Sequence, residues 1–161
     1  MTTVLVGKKL SELLRIAVAD AQQVEREGHV LDMRVYLERL APEIGKLHPS
    51  NKCRACMAGA VMICRMDGER VLNEAGGPLQ PGLFDENADA RGLHAIDLMR
   101  VSGFRGALGY IREEPPTPVE RDVLREAQEL VEAEYLDSGY LARASWETYL
   151  RAATVLERAG L

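Results

Sequence analysis

From Ala55 to Cys64 the chain carries no charged residue. A helix that is apolar all round has no face to offer water, so it belongs in the interior. The run predicts a central buried helix through Cys53, Cys56, Met57, Ala60, Val61 and Cys64, capped by Ser50 or Asn51 and stopped at Asp67-Gly68. At about 100° per residue, Cys53, Cys56, Ala60 and Cys64 fall on one face, with Gly59 beside it. Such a stripe of small residues lets a neighbouring helix approach closely, and a free cysteine packs there as a small hydrophobe.

The segments on either side supply helices to cover it. Leu10, Leu13, Leu14, Ala17, Val18, Ala21 and Val24 recur at three- and four-residue spacing up to a glycine stop at Gly28. Thr2 to Val6 suits a short strand. His29 to Leu40 fits two patterns, and an extended His29 to Leu31 followed by a helix capped by Asp32 satisfies both. Asn73 to Asp89, with Gly76, Gly77, Pro78, Pro81 and Gly82, reads as a long irregular connection. Helices then follow through Leu93 to Met99 and through Phe104 to Ile111, divided at Ser102-Gly103.

A Pro-rich link over 115–118 leads to a C-terminal helical hairpin over 118–159. Its first helix has Thr117 as cap, Pro118 in the first position and Glu120 at capping-box spacing. The second starts at Ser145 and carries Trp146, Tyr149, Leu150, Ala153 and Leu156 on one face. The expected architecture is one mainly α domain over 1–161, a compact bundle of about five or six helices around the buried central one. Any β element is minor, made by the N-terminal segment and the stretch near His29.

Charge narrows the partners. Twenty Lys and Arg against 25 Asp and Glu leave a net charge of −5, the wrong sign for general affinity toward nucleic-acid phosphates. No run approaches the ~18 apolar residues of a membrane span, and the N-terminus has neither a basic leader nor a long apolar stretch. The expected compartment is therefore the reducing cytoplasm, with Cys53, Cys56 and Cys64 as free thiols.

Cys53-Arg54-Ala55-Cys56 admits two chemical readings beside packing. A Cys-x-x-Cys at a helix N-terminus can have a lowered thiol pKa, yet the redox arrangement places the pair directly after a strand, and Leu47 to Asn51 does not read as one. Zinc could draw on Cys53, Cys56 and Cys64 with His29, His48 or His94. Along one continuous helix, however, Cys56 and Cys64 lie about 12 Å apart, too far to share an ion with bonds of about 2.3 Å. The expectation is no metal and no cofactor, with Cys53, Cys56, Gly59, Ala60 and Cys64 as a structural core.

His94 and Asp97, three apart, could share a helix face as a general-base pair, but no nucleophile can be assigned beside them. The glycines at Gly76-Gly77 and from Gly103 to Gly109 form no phosphate cradle. Tyr135, Tyr140, Trp146 and Tyr149 gather half of the aromatic residues near the C-terminus, and Tyr and Trp are interface anchors as well as core residues.

Cys53-Arg54-Ala55-Cys56-Met57-Ala58-Gly59-Ala60-Val61-Met62, preceded by Leu31-Asp32-Met33 and followed by Ala95 to Arg100, resembles small uncharacterised proteins of bacteriophages and prophages over roughly the middle half of the chain. The resemblance implies a bacterial cytoplasm and a phage accessory role, with no activity to transfer. The expected function is a non-enzymatic protein-binding module acting on a host protein or on itself as a homodimer, with Tyr135, Tyr140, Trp146 and Tyr149 as binding residues. The alternatives are a thiol or zinc protein using Cys53 and Cys56, and a small-ligand or nucleotide binder using a pocket around the long connection.

Overall fold

The leucine and alanine stripe that begins at Leu10 winds as α1 (Leu10–Arg26), burying Leu13, Leu14, Ala17, Val18, Ala21 and Val24. Gly28, at φ +90°, turns the chain out of the helix in a conformation that costs glycine little. The computed structural model of the protein describes residues 5–33, 35–40, 52–79, 89–138 and 144–161. Seven helices and one small sheet lie among them. The protein is thus mainly helical with a minor β element, as the apolar periodicity predicts.

The sheet contains β1 (Val30–Leu31), β2 (Leu37–Arg39) and β3 (Cys53–Ala55), with β3 in the middle. It pairs parallel with β1 and antiparallel with β2. This corrects three expectations. The helix capped by Asp32 gives way to β2, because β3 offers Leu37 to Arg39 a backbone partner that a single sequence cannot show. Cys53 and Ala55 belong to that strand rather than to the central helix. Both face the core, while Arg54 points outward to Glu38 opposite it on β2, 3.2 Å away. The N-terminal segment is not the sheet's partner among the described residues. The Leu5 and Val6 amides donate to the Asp89 carboxylate instead, at 2.8 and 3.2 Å.

The central helix therefore starts later than its composition suggests, as α2 (Met57–Arg65), with Cys56 at its N-cap. Met57 to Met62 are buried, but the last turn emerges and Cys64 is exposed. Ser50 and Asn51, the predicted caps, lie outside the described residues. Beyond Asp67-Gly68 the chain begins α3 (Gly68–Ala75), which takes in the first residues, 73–75, of the expected irregular connection, and the Leu79 amide then donates to the Leu37 carbonyl at 2.8 Å. The rest of the expected connection, 80–88, is outside the described residues.

The remaining helices are α4 (Ala90–Val101), α5 (Gly103–Ile111), α6 (Pro118–Ser138) and α7 (Trp146–Glu157). The capping box at Thr117 is reciprocal: the Glu120 amide donates to Thr117 Oγ1 at 3.2 Å and the Thr117 amide to Glu120 Oε1 at 2.9 Å. With Arg112 also clasping it, the Glu120 carboxyl is held at about 2. Ser145 caps α7 through the Thr148 amide, and Glu134 of α6 accepts from Ser145 and Thr148, tying the two helices.

Buried side chains from every helix and from β2 and β3 form one hydrophobic cluster, with Leu31 of β1 packed against it. α1 packs against α2, α4, α5, α7 and β1, and α2 against α1, α3, α4 and β3. The long amphipathic helix thus organises the core as much as the short apolar one.

Candidate functional site

The cysteine motif sits where β3 turns into α2. Gly59 is there for space: a Cβ at that position would fall on the Tyr36 carbonyl oxygen and 2.9 Å from Ala55 Cβ. The close approach that Gly59 allows is therefore to backbone near β2, not to the neighbouring helix expected from the small-residue stripe. Ala60 is buried as well.

None of the three thiols is primed as a thiolate. Burial pushes Cys53 and Cys56 up from the ordinary thiol value; at Cys56 the Gly59 and Ala58 backbone amides offset this only in part. Cys64, though exposed, is pushed up to about 11 by local desolvation with Asp20 and Glu27 nearby. The dipole of α2 thus does not deliver the depression that a helix-start Cys-x-x-Cys suggests.

Behind Cys53 lies His29, whose Nδ1 accepts the Cys53 backbone N–H at 2.9 Å. Its Nε2 faces Glu69 at 3.4 Å and Glu27 at 4.0 Å. Only the neutral Nε2–H tautomer meets both demands. Burial lowers its pKa, with Lys52 and Arg39 adding and Glu69 and Glu27 opposing. Because Nδ1 is committed to backbone, His29 is a strut for β3. Among the described residues no group of three or more His, Cys, Asp or Glu is placed to hold a metal.

The other expected sites disperse. Asp97 pairs with Arg100 at 2.7 Å, and His94 packs its ring against Tyr110 at 5.7 Å between centroids. Tyr149 is in the core, and Trp146 is half-buried with its indole N–H donating to Glu25 on α1 at 2.9 Å. These two rings pack inward and hold α7 against the bundle rather than standing free. Tyr140 and His48 lie outside the described residues, and of Tyr135 only its place in α6 is described.

The structure instead opens a cleft of about 660 Å³ between the α4–α5 corner and α6. Its position is set by Gly103 and Gln128. Gly103 turns the corner at φ +77°, and a Cβ there would meet Gln128 Oε1 at 2.6 Å. That oxygen accepts the Phe104 amide at 3.0 Å, so a side chain of α6 satisfies a free donor of α5's first turn. Gln128 Nε2 donates to Glu132 at 3.1 Å.

Met99, Phe104 and Leu124 give the cleft a buried apolar floor, and Val101, 63% exposed, stands in its wall. Around the floor are Arg105, Arg121 and Arg125, all exposed. Arg125 meets Asp122 only at 3.6 Å. Arg105 and Arg121 have no side-chain partner among the described residues. The sequence does not point to these arginines as a group, because Arg105 and Arg121 lie on different helices. The available signal was Arg121 and Arg125 at i and i+4 with Leu124 between them, a basic edge on an amphipathic helix.

No described helix is long and apolar enough to cross a membrane. Comparison with protein-family models, with curated proteins and with solved structures finds no match to the chain.

Proposed function

We propose that the protein is a non-enzymatic protein-binding module that works through the α4–α5/α6 cleft. One observation carries the reading: an apolar floor bordered by the exposed Val101 and by Arg105 and Arg121, which have no side-chain partner among the described residues. Desolvated apolar centres with polar rims are the anatomy of protein interfaces, and arginine is enriched there. The resemblance of Cys53 to Met62 to phage and prophage proteins supports a host protein, in the bacterial cytoplasm, as the partner.

The thiol and zinc readings are weaker. Buried cysteines with raised pKa values are poor nucleophiles, and His29 spends its Nδ1 on backbone. A small ligand would also fit the cleft's volume, but the arginines stand exposed at its edge rather than converging inside.

The test is site-specific photo-crosslinking in bacterial cells that express the chain. A photoreactive residue at Val101 is expected to capture a discrete protein that one at the exposed Glu147, on α7, does not. Equal capture from both positions, or none from Val101, removes the reading.

A further inference from the structure

Resting on that reading, we propose that the segment held in the cleft is an acidic, apolar stretch of a partner protein that runs in one direction along α6. The first part of the argument is sign. The chain as a whole is acidic, yet the cleft is lined by Arg105, Arg121 and Arg125. Two of these have no side-chain partner among the described residues. A surface that concentrates positive charge against the trend of its own chain is complementary to carboxylates, which it steers and registers.

The second part is the reversal of sign along the helix. Residues 121, 124, 125, 128, 129 and 132 line the cleft at three- and four-residue spacing. They extend about 16 Å at 1.5 Å per residue. Along α6, Arg121 occupies one end, Leu124, Arg125 and Gln128 the middle, and Glu129 and Glu132 the other, while Arg105 on α5 follows Phe104, whose amide donates to Gln128. A free phosphate or a small carboxylate would use only the arginine end. A nucleic-acid backbone would bring its phosphates against Glu129 and Glu132. A peptide segment suits the whole length: carboxylates beside Arg121 and Arg125, an apolar side chain on the floor of Phe104, Met99 and Leu124, and a basic residue toward Glu129. Because the ends differ, the segment has one preferred direction, and reversing it sets like charges together at both ends.

The test selects displayed short random peptides on the full chain and on the double variant Arg105→Glu, Arg121→Glu. The wild-type chain is expected to enrich peptides with carboxylates at one end and apolar residues beside them. The variant should lose at least about tenfold in affinity for those peptides, since opposed charges become like ones, and should enrich basic peptides in their place. A third selection, on Glu129→Lys, should remove the basic residue from the far end while leaving the carboxylates. No enrichment, enrichment without charge bias, or the same peptides on all three chains overturns the proposal. So does a thermal upshift by phosphate or citrate that the double variant abolishes while no peptide binds, which would make the cleft a small-anion site. A specific Val101 crosslink that survives the double variant would leave protein binding standing with the acidic partner rejected. Loss of the Val101 crosslink on the wild-type chain removes the broader reading by itself.

Discussion

At the β3–α2 junction, chemistry-bearing residues are buried and committed, whereas at the α5–α6 cleft they are exposed and in part unspoken for. His29 and the Cys53 amide satisfy each other in the interior, and Gly59 leaves no room between α2 and the Tyr36 carbonyl. Around the cleft, Arg105 and Arg121 project from helices whose packing does not need them. The residues most suggestive of chemistry in this sequence are structural, while residues of ordinary type come to border a gap that the helices leave between them. Substitutions at the junction should cost stability, and substitutions at the cleft should cost binding with stability kept.

The largest expected effect is at Gly59. Gly59→Ala should destabilise by about 3 kcal/mol, the upper end of overpacking costs, because the obstruction is backbone and cannot rotate away. Urea unfolding measures it, and a neutral result would show that the junction is not tight. Ala60→Leu follows at about 1–3 kcal/mol, read from the same curves.

His29→Ala should cost about 1–3 kcal/mol by leaving the buried Cys53 amide without its acceptor. The direction of its pH dependence is fixed. The fold lowers the His29 pKa from the ordinary 6.5, so its contribution is complete above that value and is lost as pH falls through the folded-state pKa. Stability of the native chain should therefore fall between about pH 7 and about pH 5 more steeply than that of the His29→Ala variant. Parallel profiles would free His29 of this role.

Thr117→Ala removes half of the capping box of α6 and should cost about 1 kcal/mol, with the cleft's binding retained. The smallest stability effect belongs to the cleft itself. Arg121→Glu and Val101→Ala should each stay within about 0.5 kcal/mol of the native chain, yet Arg121→Glu should weaken capture at the cleft. An Arg121→Glu variant that unfolds like Gly59→Ala would erase the contrast between the two regions.

Legibility in the sequence followed range. The capping box at Thr117, the Ser145 cap, the stop at Gly28 and the corner at Ser102-Gly103 were readable because each is settled by residues three or four apart. The strand at Cys53 was not, since Cys53, Arg54 and Ala55 fit a helix equally well until β1 and β2 lie beside them. Local composition marked Cys64 for the interior, but α2 runs past the edge of the core and leaves it exposed. The aromatic residues near the C-terminus suggested a surface, while Tyr149 and Trp146 pack inward because α1 supplies both apolar cover and Glu25. The cleft left only a faint trace, a basic edge on α6 whose counterpart on α5 is brought near by the fold.

By itself the sequence determined the helical class of this protein and where most of its helices begin and end, because periodicity and capping act within a few residues of chain. Tertiary structure alone decided which apolar segment becomes a strand, which cysteine meets solvent and which arginines face one gap. Those outcomes depend on partners distant in sequence, and the free energy of pairing and burial that selects them exists only once the elements have met.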